Sequence, residues 1–144
     1  MEFDMKNVIK EILSTSLYLL VVLCLTYLVI TYVGQRTQVI GSSMETTLSN
    51  DDNLIVDKIS YRFREPKRFD IIVFPYEYAD ETYYIKRVIG LPGESVRIDT
   101  SGQIYINESV LEDSYGKVVI KEPGRAFETI TLGEDEYFVM GDNR

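Results

Sequence analysis

Between Glu11 and Arg36 the sequence carries no charged residue. Residues 12–35 read ILSTSLYLLVVLCLTYLVITYVGQ, and 17–33 are the apolar heart of this run. About 20 predominantly apolar residues span a hydrocarbon core of roughly 30 Å, so no other stretch constrains the fold as strongly. The interspersed Ser and Thr hydroxyls are expected to bond back to the helix's own carbonyls. Tyr18 and Tyr32 stand near the two ends, as interfacial anchors would. A cleaved signal peptide fits poorly, because the apolar region is too long and no small-x-small pattern follows. A buried helix of a soluble protein also fits poorly, since a helix apolar on every face is unusual in so small a domain. The run reads as a retained, single-pass anchor. Lys6 and Lys10 precede it and Arg36 follows, which favours a cytoplasmic N-terminal segment (1–11) by a narrow margin. Residues 36–144 then form the extracytoplasmic domain.

That domain carries 13 basic and 20 acidic residues, an excess that argues against nucleic acid as a partner. Cys24 is the lone cysteine and lies within the span, so there is neither a disulfide framework nor a thiol cluster for a metal. After the span the hydrophobic period falls to about two. Strands are expected at LIVDKISY (54–61), DIIVF (70–74), YYIKRVIG (83–90), SVRID (95–99) and QIYIN (103–107), with a hairpin turn over 99–102. Further candidates are KVVIK (117–121), FETITL (127–132) and EYFVM (136–140). Many short strands at close spacing predict a mainly β, largely antiparallel, barrel-like domain behind one membrane helix.

The chain contains no histidine, which limits how a serine could be activated. The base must be a carboxylate or a lysine that has lost its proton. Neutrality near pH 7 requires lowering a lysine by roughly three units, about 4 kcal/mol, which burial against apolar side chains can supply. Lys86, in YYIKRVIGLPGE, is the lysine with apolar neighbours. On a strand it shares a face with Tyr84 and Val88, while Arg87 points to the other side. From the residues alone, a strand lysine is more often a snorkelling surface group and a serine after glycine more often a turn.

Four segments shift that balance. GSSMETTL, KRFDIIVF, YYIKRVIGLPGE and YFVMGDNR, in this order after one membrane span, resemble the successive sequence boxes of bacterial type I signal peptidases. The resemblance implies a membrane-anchored serine endopeptidase that removes signal peptides from exported precursors, with no metal or cofactor. It implies that Ser43 is the nucleophile and Lys86 the general base. The Ser43 N–H would help hold the oxyanion, with a second donor from Gly41 (backbone only) assisted by the Ser42 hydroxyl. Met44 and Tyr84 would lie in the apolar surround, and Arg87 would pair with Asp142. Signal peptides and membrane lipid are the implied partners, with the translocation machinery a further candidate.

The sequence also departs from the family pattern. Thr46 stands where proline is usual, Phe69 where glycine is usual and Glu94 where aspartate is usual. The family continues GDNR with Ser-x-Asp-Ser-Arg and more β structure, so the domain is expected to be C-terminally truncated relative to it. That expectation supports one alternative, a catalytically inactive, membrane-tethered β module that binds signal peptides or the translocation machinery. A self-cleaving repressor with a serine–lysine pair is a second, but such proteins carry a DNA-binding domain where this chain has a span.

Overall fold

The computed structural model describes residues 5–78, 82–116 and 119–144. The uncharged run forms helix α1, Met5–Tyr32, with none of its residues buried. It is long and apolar enough to cross a membrane. Within it, Thr26 Oγ1 donates to the Val22 carbonyl at 2.9 Å and Ser14 Oγ to the Glu11 carbonyl at 3.3 Å. These are the back-bonds that let hydroxyls tolerate an apolar setting. The helix ends at Tyr32, and Gly34 already belongs to a strand, so it stops short of the run's last residues.

Two compact units follow from the contacts within the chain. The first joins α1 to Ile55–Phe63. Within it the Lys58 N–H donates to the Val33 carbonyl at 2.9 Å, and the Arg62 guanidinium lies 5.5 Å from the Tyr32 ring centre. The second unit comprises Thr37–Leu54 and Arg64–Arg144 and holds the β core.

Nine strands are present among the described residues: β1 Gly34–Gln38, β2 Asn53–Asp57, β3 Ile71–Pro75, β4 Tyr83–Gly90, β5 Ser95–Ile98, β6 Ile104–Ile106, β7 Ser109–Val110, β8 Ile130–Thr131 and β9 Phe138–Met140. They do not close. The strands divide into three open sheets ordered β1-β2, β3-β4-β9 and β7-β6-β5-β8, so the expected barrel-like architecture is incorrect. Alternation along a strand shows only that it has a buried face. It does not say which strand lies beside it, and here β4 and β5, adjacent in sequence, enter different sheets. The pairs in the two larger sheets are antiparallel, as expected.

Tyr83–Gly90 forms a strand with the expected limits. Others are shorter than the sequence suggested: 127–132 yields only Ile130–Thr131, preceded by a 3-10 turn at Gly124–Phe127. Of 117–121, the first two residues lie outside the described residues, and 119–121 form no strand, although Ile120 joins the core. The hairpin turn over 99–102 is present, with Gly102 at φ +82° and its N–H donating to the Asp99 carbonyl at 3.0 Å.

Alternate residues of β5 and β6 build the core: Val96 and Ile98 face Ile104 and Ile106, joined by Ile89, Ile120, Ala126 and Leu132. Gly90 lets β4 reach it. A Cβ there would sit 2.7 Å from Val96 Cγ2 and 2.9 Å from Leu132 Cδ1, closer than packed carbons approach. Thus β4 has one end in the core and carries Lys86 and Arg87 just before it.

Candidate active site

On β4 the Lys86 and Arg87 side chains leave opposite faces of the strand. Beside β4, residues 42–48 form a tight turn in which the Thr47 and Leu48 N–H groups both donate to the Met44 carbonyl at 2.9 Å. That turn brings Ser43 Oγ to 2.6 Å from Lys86 Nζ, across 43 positions of sequence. Burial pushes the Lys86 ammonium below the ordinary lysine value. The Tyr84 ring lies 5.8 Å from Nζ on the same strand face, stacked at 4.6 Å against Tyr76 and edge-on to Phe74 at 6.2 Å. Met44 is 1% exposed.

On the opposite face Arg87 meets Asp142 in a two-pronged ion pair, Nε to Oδ1 at 2.9 Å and Nη2 to Oδ2 at 2.7 Å. The side chains are 4% and 0% exposed. Burial pushes the Asp142 carboxyl up, but hydrogen bonds from Arg87 and Thr47, together with the guanidinium charge, outweigh it and hold Asp142 below the ordinary range. The hydrogen bond to Asp142 likewise raises Arg87.

Several residues that sequence reasoning did not single out complete the arrangement. Thr47 Oγ1 donates to Asp142 Oδ2 at 2.6 Å, so the serine turn is tied to the ion pair. The Asn143 N–H donates to the Ser43 carbonyl and its Nδ2 to the Ser42 carbonyl, each at 3.1 Å. Gly141 has no side chain because the Ser43 carbonyl occupies the place of a Cβ. The Gly-Asp-Asn segment therefore holds the backbone of the serine turn with one set of bonds and the lysine strand with another.

Gly41 differs from expectation in its immediate partner. It bends the chain at φ +104°, and its N–H donates to Asn50 Oδ1 at 2.8 Å. The Ser43 N–H has no such acceptor among the described residues. Phe69 adopts φ +70°, the left-handed conformation that a glycine takes without steric cost. Its carbonyl accepts from Arg87 Nη1 at 2.9 Å, and its ring packs on the core, which offsets strain of about 1–3 kcal/mol. Glu94 is gripped by Arg68 through Nη2 to Oε1 at 2.5 Å and Nη1 to Oε2 at 3.0 Å, and Oε2 also takes the Leu91 N–H at 2.8 Å. Burial raises the Glu94 carboxyl, but Arg68 and the Leu91 N–H hold it below its ordinary value. The longer carboxylate thus closes the turn that follows β4.

A serine and a lysine at hydrogen-bond distance, braced by a buried ion pair, are the groups an acyl-transfer site needs in the absence of histidine. The family model for signal peptidase, peptidase S26, matches residues 10–144. The chain belongs to this family. Among curated relatives, "Probable signal peptidase I-2" of Synechocystis sp. is 39% identical over 119 residues, covering 79% of this chain and 53% of that protein. Signal peptidase I of Leptolyngbya laminosa is 41% identical over 121 residues, 79% of this chain and 58% of the relative. Signal peptidase I P of Bacillus subtilis subsp. natto is 35% identical over 133 residues, 88% and 71% respectively. The chain thus spans little more than half the length of the first two. Every signal peptidase box proposed from the sequence falls within the matched residues.

Proposed function

We propose that this chain is a membrane-anchored serine endopeptidase of the signal peptidase I type, which removes signal peptides from exported precursors. The observation that carries the reading is the 2.6 Å contact between Ser43 Oγ and Lys86 Nζ in a sequence without histidine. Neutral Lys86 takes the hydroxyl proton as Ser43 Oγ attacks the scissile carbonyl. The lysine then gives that proton to the departing amine as the acyl-enzyme forms. Water, deprotonated by the same lysine, hydrolyses the ester and frees Ser43. The Ser43 N–H donates to the oxyanion, with the Ser42 hydroxyl as the neighbouring second donor.

Arg87 and Asp142 support this chemistry without joining it. Arg87 sits beside the base on β4, and Asp142 joins that strand to the serine turn through Thr47. The single helix confines enzyme and substrate to one membrane and so raises their effective concentration. Lys6 and Lys10 support an orientation with the N-terminus in the cytoplasm and the β unit outside, where exported precursors emerge. Protease added to intact spheroplasts should digest the β unit, and its full protection would reverse the orientation. The translocation machinery, which delivers such precursors, is the natural neighbour at that site.

The experiment is cleavage of a radiolabelled precursor by the detergent-solubilised chain, compared with Ser43→Ala. Release of mature protein by the wild type alone is the expected result. Precursor that binds both forms and is cut by neither would make the chain a binding module instead.

A further inference from the structure

Residues 113–116 lie outside every motif that defines the site, yet they touch its supports twice. The Tyr115 ring lies 3.7 Å from Arg87 Cζ and covers a face of the guanidinium whose edge meets Asp142. A ring face attracts a cation and keeps water from it. Tyr115 also packs against Phe69, ring centres 5.3 Å apart, and the Phe69 carbonyl is a further acceptor for Arg87.

Two positions earlier, Asp113 meets Arg144. Oδ2 and Nη2 are 2.5 Å apart, and the side chains are 7% and 5% exposed. Neither atom has a hydrogen-bond partner, so the two buried groups meet through charge alone. Gly116 makes the room, because a Cβ there would fall on the Arg144 guanidinium. The Tyr115 N–H donates to Asp113 Oδ1 at 2.9 Å, a local turn that presents ring and carboxylate together. Arg144 Nε in turn donates to the Gly141 carbonyl at 3.0 Å, and Gly141 lies directly beneath the Ser43 carbonyl.

We propose that residues 113–116 form a clasp that positions the catalytic pair, Tyr115 acting through Arg87 and Asp113 through Arg144. Arg87 adjoins Lys86 on β4, and Arg144 adjoins the segment that holds Ser43. The clasp fixes both partners of the 2.6 Å contact from behind. Its activity arm rests on the signal peptidase reading, and its structural arm does not.

The test uses Tyr115→Leu, Tyr115→Phe and Asp113→Asn in the full chain in detergent. It measures kcat and KM on a signal-peptide substrate and amide hydrogen exchange across residues 42–48. Tyr115→Leu should lower kcat about tenfold with KM within about twofold, since positioning acts on the transition state rather than on binding. Tyr115→Phe should restore both kcat and exchange protection, because the ring face and not the hydroxyl covers Arg87. Asp113→Asn should lower kcat and speed exchange over 42–48. Should that variant fail to fold, the two Tyr115 variants still decide the matter. Wild-type kcat and exchange in Tyr115→Leu, or a Tyr115→Phe variant as impaired as Tyr115→Leu, would overturn the clasp. If the wild type cuts no substrate, the functional reading fails and hydrogen exchange alone decides the clasp.

Discussion

Lys86 and Arg87 are successive cationic residues on one strand, and the two faces of β4 treat them in opposite ways. On one face the cation has a hydroxyl and an aromatic ring nearby, and burial lowers its pKa. On the other face burial is deeper, but a carboxylate grips one edge of the guanidinium with both oxygens and its pKa rises. Burial alone therefore does not set the direction of a pKa shift. A buried counter-charge reverses it. Reversing the two residue types would fail on both faces, because guanidinium cannot act as a base near neutral pH and an ammonium cannot make the two-pronged bond.

The largest way to break this contrast is to remove the proposed base. Lys86→Met should lower cleavage by roughly a hundredfold to ten-thousandfold, the usual contribution of a positioned general base. Stability should not fall with it. Folding lowers the Lys86 pKa, so burying this residue costs stability below pH 10.5, in full below the folded value, and the cost fades as pH rises from the folded value toward 10.5. Thermal melting should accordingly find Lys86→Met at least as stable as wild type at pH 7. A marked loss of stability would show that the ammonium is a structural cation.

The opposite face predicts the opposite balance. Asp142→Asn should cost roughly 3–5 kcal/mol, because it strands a buried guanidinium. The folded Asp142 pKa is depressed, so its contribution is complete above the ordinary value of 3.8 and is lost as pH falls through the folded value. Denaturant melts at pH 7 should show the full difference between wild type and variant, and melts at strongly acidic pH a smaller one. A constant difference across that range would mean that the pair's charge is not what stabilises it.

A third, smaller effect sharpens the comparison. The Arg68–Glu94 pair shares the two-pronged geometry but is 23% and 17% exposed. Glu94→Gln should cost about 1–2 kcal/mol in the same melts, since partial solvation remains for the partner left behind. A loss equal to that of Asp142→Asn would make geometry rather than burial the source of the larger effect.

The sequence made some of this arrangement legible and left some of it hidden. Ser43, Lys86, Arg87 and Asp142 sit in boxes whose order identified them, and strand alternation separated Lys86 from Arg87. Thr47 was hidden because its partner, Asp142, lies 95 positions away and a threonine hydroxyl carries no periodic signal. Asn50 was hidden for a related reason: its acceptor oxygen serves one N–H, that of Gly41. Tyr115 lies in a loop with neither alternation nor a motif. Strand β1, GQRTQ, was missed because it is polar along its length and mostly exposed. The glycine-to-phenylalanine departure at 69 was legible as a departure, and the structure supplies the packing that accommodates it.

The central claim is that Lys86, its pKa lowered by burial, deprotonates Ser43. It is tested most directly by the pH dependence of kcat/KM, which reports the ionisation of the free enzyme's base. Cleavage should rise with pH through a single ionisation below 10.5, because only the neutral amine accepts the proton. A profile flat from about pH 6 to about pH 10 would contradict it, since no group with a lysine's ionisation would then be acting as the base.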